Sequence, residues 1–337
     1  MSVKLMDCTL RDGGNVVGKG FNAEITEIVL DCLTACHVPI IEFGNAGGIG
    51  AYEVAGFTKA ETDEAYLAIA QKYMGRGSEL GMFLNAKRYL KKSVEAAMNA
   101  GLDFLRVGAD AGDAAIAVNA IHDIKEASLK AYYSLMKAYL LTPDELAEEA
   151  KRLEEAGLDM ITIMDSAGTM LPEDVIEYTR KLKAAVKIPV GFHCHNNLYL
   201  SAANAIAAYE NGADILDCGL MGMARSAGNM ATEACVALMQ RYGEMKNIDL
   251  YRMLDILDNR LMPAMEPFGF HNPVAPIDLV FGISGCHSSF LARYKAVAAE
   301  TGVNLYQLIV ETSAIDRKNP SEELIRTVAA KLLQAAE

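Results

Sequence analysis

The stretch Glu155-Ala156-Gly157-Leu158-Asp159-Met160-Ile161-Thr162-Ile163 sets the architecture of this chain, because its pattern occurs three times. Asn99-Ala100-Gly101-Leu102-Asp103-Phe104-Leu105-Arg106-Val107 comes before it and Asn211-Gly212-Ala213-Asp214-Ile215-Leu216-Asp217 after it. Each reads as a helix closed by glycine, a short turn and an apolar strand. Gly101, Gly157 and Gly212 stand 56 and 55 residues apart, about twice what one strand and one helix with short loops require. A further strand therefore belongs in each interval, and Leu129–Met136 and Ile188–His193 supply it.

In all, eight strands are predicted: Val3–Cys8, Pro39–Phe43, Glu79–Leu84, Phe104–Val107, Leu129–Met136, Met160–Met164, Pro189–His193 and Ile215–Cys218. Helical patterns fill the gaps. Thr142-Pro143-Asp144-Glu145 places a capping Thr, a Pro at the first helical position and a Glu three residues after the cap. The prediction is an α/β chain forming a (β/α)8 TIM barrel over residues 1–245. An open doubly wound sheet would need a glycine-rich dinucleotide turn after its first strand, and Arg11-Asp12-Gly13-Gly14-Asn15 is not one. From about Asn247 the alternation stops. Leu250–Leu261, Pro276–Ile283, Ser289–Thr301, Asn304–Thr312 and Ser321–Ala336 read as helices of a small C-terminal helical domain, residues 246–337. No linker-like stretch precedes them, so they are expected to dock on or near the barrel.

A net charge of −13 speaks against nucleic acid or an anionic membrane as partner, since both call for basic surface. No apolar run is long enough to span a bilayer, and no signal-peptide pattern precedes the first strand. The seven cysteines, at 8, 32, 36, 194, 218, 235 and 286, are odd in number, irregular in spacing and set among apolar residues. They suit reduced core thiols in a cytoplasmic protein. Cys32, Cys36 and His37 lie within an apolar helix and are expected in its core.

Lys187-Ile188-Pro189-Val190-Gly191-Phe192 leads into His193-Cys194-His195-Asn196-Asn197. Alternation along a strand puts His193 and His195 on one face and Cys194 on the other. Two imidazoles so spaced can bind one divalent cation, and the segment Asp7–Gly14 offers a carboxylate at another strand end. Two neutral nitrogens and one carboxylate, with positions left open, describe a catalytic metal site. In a barrel, catalytic residues gather at the C-terminal strand ends. The candidates there are Arg11 and Asp12, Glu42 and Asn45, Arg106, Lys137, Asp165, His193 and His195, and Asn229. Structural roles compete: Asp12 could form a turn, the histidines could be core residues, and Asp165 could cap a helix. Glu42 and Arg106 could pair as structural ions, and the 222–229 loop could be a connection only.

Thr9-Leu10-Arg11-Asp12-Gly13, His193-x-His195-x-Asn197 and Gly228-Asn229 together resemble the metal-dependent aldolase/lyase family of TIM barrels. That family includes hydroxymethylglutaryl-CoA lyase, the isopropylmalate and homocitrate synthases, and the 4-hydroxy-2-oxovalerate aldolases. The tail Gly282-Ile283-Ser284-Gly285-Cys286-His287-Ser288-Ser289-Phe290-Leu291 is similar to the C-terminal region of the last. The resemblance implies a divalent metal, usually Mn²⁺, held by Asp12, His193 and His195, with Asn229 at the position of a further ligand; Mg²⁺, Co²⁺ or Zn²⁺ also suit such donors. It implies cleavage of a 4-hydroxy-2-oxo acid to pyruvate and an aldehyde, with Arg11 stabilising the enolate. Glu42, Arg106 and Asp165 are expected to bind substrate. It further implies a homo-oligomer and an acylating aldehyde dehydrogenase partner at the C-terminal domain. The family's base is a His where this chain has Asn15, and its supporting Tyr falls where this chain has His287. His287 is therefore expected to take over proton transfer, with Asn15 orienting it or the substrate. A Claisen-type enzyme using an acyl-CoA, and a non-catalytic scaffold that has lost its base, are the alternatives.

Overall fold

The computed structural model describes residues 3–53, 60–270 and 276–336. Among them, eight parallel strands close into a barrel in chain order. They are β1 (Lys4–Asp7), β2 (Ile40–Phe43), β3 (Glu79–Asn85), β4 (Phe104–Asp110), β5 (Lys130–Met136), β6 (Met160–Asp165), β7 (Val190–Cys194) and β8 (Ile215–Cys218). All eight predicted strands are present. β8 closes on β1 with Met6 beside Asp217 and Asp7 beside Cys218.

Local chemistry sets the helix boundaries. Asn22 caps Ala23–Ala35 through Ile25 N–H, and Thr62 caps Asp63–Gln71 through Ala65 N–H. Thr142 and Glu145 form the reciprocal capping box expected ahead of Pro143–Glu155. Gly101 ends Lys91–Ala100 at φ 80°, a left-handed conformation that a side chain would strain.

Strand alternation divides each strand between two environments. Met6, Cys8, Ile40, Phe104, Tyr132, Met160 and Ile215 fill the barrel interior as a separate apolar layer. Leu5, Ile41, Leu105, Ile161 and Leu216 face the surrounding helices and join the main core. Two residues beyond the interior set, along the same strands, come Glu42, Arg106 and Asp217, so the polar residues stack on an apolar plug.

The C-terminal helices are Pro276–Ser284, Leu291–Thr301, Leu305–Ile315 and Glu322–Ala336. They enclose their own core of Val280, Phe281, Phe290, Tyr294, Val297, Leu308, Ile309, Ile325 and Val328. The preceding segment behaves differently. Met253, Leu257, Leu261 and Met265 belong to the barrel's core, and the helix predicted over Leu250–Leu261 takes a wider turn at Leu257–Leu261. The helical unit is tied to the barrel rim by polar contacts. Lys137 Nζ donates to the Lys318 carbonyl at 3.3 Å, Arg317 donates to the Tyr139 carbonyl at 2.9 Å, and Arg317 also lies over the Tyr139 ring. No described helix is long and apolar enough to cross a membrane.

Candidate metal centre

β1 ends in a turn that is pinned from both sides. Backbone amides of Arg11 and Asp12 donate to the Cys8 carbonyl, and Thr9 Oγ1 accepts from Leu220 N–H in the β8 loop. Asp7 accepts from Thr9 N–H at 2.8 Å and from the Thr232 hydroxyl at 2.6 Å. Its carboxyl is raised to about 6 by burial, in spite of those bonds. The turn delivers Arg11 and Asp12 to the barrel mouth opposite β7.

There Asp12 meets both imidazoles. Its Oδ2 lies 3.6 Å from His193 Nε2 and 3.7 Å from His195 Nε2. The rings stand 5.4 Å apart at 69°, as expected of residues two apart on one strand face. Asn229 Nδ2 donates to the same Oδ2 at 3.0 Å, while its own Oδ1 is buried with no hydrogen-bond partner. Asn229 is brought in by a bridge between its backbone and that of His195. Burial acts against the charge on Asp12, but Arg11 and the two imidazoles outweigh it and hold the carboxyl well below its usual range. His195 is pushed down to about 3, chiefly by burial, so its ring is neutral and keeps a lone pair. One ionised carboxylate, two imidazoles and an orphaned amide oxygen fit a divalent cation.

The charges beneath are matched in pairs. Arg11 Nε donates to Glu42 Oε2 at 2.6 Å, its Nη1 lies 3.2 Å from Asp12, and its guanidinium sits 5.2 Å from the Phe83 ring centroid. Arg106 binds Asp217 and lies 3.7 Å from Glu42. Asp217 Oδ2 in turn is 3.4 Å from His193 Nδ1. Cys8, His193 and Asp217 also cluster. However, burial together with Asp217 and Glu42 pushes the Cys8 thiol far up, so it stays protonated and is a poor ligand.

A cavity of about 330 Å³ opens on this group. Arg11, Asp12, His193, His195 and His287 line it, as do Lys137 and Arg225. The expected substrate contacts do not reach it. Glu42, Arg106 and Asp165 are fully buried and lie behind the lining residues. Glu42 and Arg106 form the structural ion pair, and Asp165 accepts from the amides of Thr169 and Met170, holding the β6 loop. Asn15 departs from expectation as well. Its amide donates to the Asp12 carbonyl at 2.8 Å and to Asp12 Oδ1 at 3.2 Å, and it accepts from Lys19. It thus orients Asp12, and among the described residues no hydrogen bond joins it to His287.

His287 does line the cavity, on the C-terminal segment. Its Nδ1 is 2.8 Å from the Ser289 hydroxyl and its Nε2 is 3.5 Å from Arg225 Nη1. Ser289 N–H donates to Nδ1 at 3.2 Å, so the backbone and the hydroxyl of Ser289 together hold the ring at the cavity wall. Burial, with Arg225 and Lys137 nearby, pushes the imidazole well below its ordinary pKa. Sequence reasoning passed over Asp217 and Arg225. Asp217 could have been found from its place two residues after the inward-facing Ile215, whereas Arg225 lies in an irregular loop with no period to read.

Comparison with known proteins agrees with this geometry. The family model described as HMGL-like matches residues 2–259. Proteins named 4-hydroxy-2-oxovalerate aldolase are similar over almost the whole chain. That of Geobacillus genomosp. 3 is 31% identical, covering 99% of this chain and 98% of the relative. That of Moorella thermoacetica is 33% identical, covering 99% and 97%. Among solved structures, the N-terminal domain of a Bacteroides vulgatus protein aligns with a TM-score of 0.72 at 21% identity, over 85% of this chain and 94% of that one. The carboxyl transferase domain of Rhizobium etli pyruvate carboxylase aligns with a TM-score of 0.79 at 16% identity, over 99% and 60%. At such identity the structures speak for a shared barrel. With the match covering most of its length and its donors gathered at the strand ends, this chain belongs to the HMGL-like family.

Proposed function

We propose that the protein is a metal-dependent, class II aldolase that cleaves a 4-hydroxy-2-oxo acid, such as 4-hydroxy-2-oxovalerate, to pyruvate and an aldehyde. The observation that carries this reading is the meeting of Asp12 with His193 and His195, with Arg11 beside them on the same cavity. The full-length relatives' shared name supports it.

Asp12, His193 and His195 would hold the cation, with Asn229 Oδ1 available as a fourth donor. Mn²⁺ is the metal we favour, on resemblance. When bound, the cation acts as a Lewis acid toward the substrate's 2-oxo group. Arg11, fixed by Glu42 and Asp12, presents its remaining N–H groups to the oxygen on which negative charge develops as the C3–C4 bond breaks. His287 accepts the proton of the 4-hydroxyl, and Ser289 holds the ring through Nδ1. Glu42, Arg106 and Asp217 position Arg11 and His193 without touching substrate. The intact donor set speaks against a scaffold that has lost its chemistry.

We also propose residence in the cytoplasm, supported by seven unpaired, buried cysteines. An acylating aldehyde dehydrogenase partner at the C-terminal helices is consistent with the exposure of Tyr306, Ile315 and Leu333 there, and self-association with that of Leu254, Met262 and Phe268. The deciding experiment strips the protein with a chelator, restores single metals and follows pyruvate release from 4-hydroxy-2-oxo acids. Metal-dependent release supports the reading. Release that survives complete metal removal, or none with any substrate, would defeat it.

A further inference from the structure

The cavity has two chemically distinct sides. Asp12, His193 and His195 stand at the ends of β1 and β7. Across the mouth, β3 and β4 end in Asn85 and Asp110, and Lys137 directly follows β5. Closure in chain order puts β3–β5 opposite β7, β8 and β1. His287 is near both sides. It lies 3.5 Å from Arg225 of the β8 loop, and its ring and the Lys137 ammonium flank the same Phe290 ring at 6.5 and 5.7 Å.

Lys137 is set in place by its surroundings. Its backbone is left-handed, at φ 53° and ψ 46°, which costs a lysine energy. The Ser166 hydroxyl accepts its N–H at 2.9 Å and holds that conformation. Nζ donates to Asp110 Oδ2 at 3.2 Å and to the Lys318 carbonyl at 3.3 Å, which leaves one N–H of the ammonium. Lys87 faces the same Oδ2 at 3.9 Å, and Asp110 Oδ1 accepts no hydrogen bond from a described residue. Asn85 uses its Oδ1 to accept from Lys87 N–H, which leaves its Nδ2. Lys137 and Asp110 thus neutralise each other and still offer a donor and an acceptor side by side. A hydroxyl, which donates and accepts at once, matches such a pair better than a methyl group does.

We infer that the substrate carries a further hydroxyl on the carbon after C4, so that the released fragment is a hydroxyaldehyde, and that this hydroxyl donates to Asp110 and accepts from Lys137. This rests on the aldolase reading. With the 2-oxo acid end at Asp12, His193, His195 and Arg11, and the 4-hydroxyl at His287, the chain beyond C4 falls on the side of β4 and β5. In cleavage the C3–C4 electron pair stays with C3, which then takes a proton. The 4-hydroxyl loses its proton to His287 as C4 becomes a carbonyl, and the further hydroxyl leaves unchanged on that fragment. The methyl group of 4-hydroxy-2-oxovalerate would instead lie against an ion pair that it cannot bind.

The test runs in the condensation direction with the Mn²⁺-loaded full chain, pyruvate, and one of glycolaldehyde, glyceraldehyde or propanal. Glycolaldehyde and propanal are equal in size and differ by a hydroxyl in place of a methyl. The kcat/KM for a hydroxyaldehyde should exceed that for propanal by about tenfold or more. Because the aldehydes differ in intrinsic reactivity, the decisive quantity is how that ratio changes in Lys137→Met and, separately, Asp110→Ala. A fall of about 10- to 100-fold, carried mainly by KM for the hydroxyaldehyde, is expected for loss of a hydrogen bond to a charged group. A ratio that neither substitution moves, as when all three aldehydes lose activity equally, marks a structural pair and overturns the inference. Preference for propanal in the unaltered protein overturns it too. Either result leaves the aldolase reading standing, whereas condensation with none of the three aldehydes defeats both.

Discussion

Nδ1 of His193 lies 3.4 Å from Oδ2 of Asp217, across the β7–β8 boundary. The other ring nitrogen of His193 faces Asp12. A carboxylate behind a metal-binding imidazole fixes the tautomer and makes the ligand more basic. Asp217 itself is kept ionised by Arg106, against the effect of burial. Replacing Asp217 with Asn should therefore weaken metal affinity by roughly 10- to 100-fold. Calorimetric titration of the metal-stripped variant with Mn²⁺ reads this directly; unchanged affinity would show that the pair does not tune the ligand.

Arg11 should act on the transition state more than on binding. Its Nε is committed to Glu42 and its Nη1 to Asp12, which leaves Nη2 for substrate. Arg11→Lys keeps the charge but not the fork, so kcat is expected to fall about 10²- to 10³-fold with a smaller change in KM. Steady-state kinetics distinguish this from a fall carried mainly by KM.

His287 is expected to remain in its free-base form through the neutral range, because its pKa lies well below the ordinary value of 6.5. The kcat/KM profile should then stay flat as pH drops through 6.5, with no acidic limb from this group there. His287→Ala should lower kcat by about 10²- to 10⁴-fold, the usual span for a general base. Turnover equal to that of the unaltered protein would remove His287 from the reaction.

Without metal, His195 should couple stability to pH. Its pKa falls from 6.5 to about 3 on folding, so between those values the unfolded chain takes a proton that the folded chain refuses. Stability then drops as pH falls from about 6.5 towards 3, by about 1.4 kcal/mol per pH unit. Asp7 and Asp165, both raised to about 6, act with the opposite sign between about 6 and 3.8. The His195 contribution is isolated by subtracting urea unfolding curves of His195→Gln from those of the parent. A difference that does not vary with pH would contradict the assignment.

Gly168 supports the site through backbone contact. Its φ is 61°, and a Cβ there would stand 2.5 Å from the His195 carbonyl oxygen and 2.7 Å from Asn197 N. Gly168→Ala should destabilise the protein by about 1–3 kcal/mol or more and displace His195. Chemical denaturation and metal titration should both register the change.

The barrel was legible because its signals are local. A glycine-closed helix followed by an apolar strand needs no distant partner to be recognised, and neither does the two-residue period that puts His193 and His195 on one face. The Asp12–His193–His195 group followed from strand-end placement together with resemblance. What the chain could not show was how charge is shared once the barrel closes. Closure lays β1 against β8, setting Met6 beside Asp217, and that register puts Arg106 and His193 within reach of one carboxylate. The same closure draws Glu42 and Arg106 out of the cavity and into its supporting layer. Asn15 turned to Asp12, three residues away, because the turn after β1 folds back on itself. The sequence by itself determined the alternation of strand and helix and the inward face of each strand, since these depend on neighbouring residues and a fixed period. Only the tertiary structure decided which buried charge neutralises which, because Coulomb energies depend on distances across the barrel that no local pattern encodes.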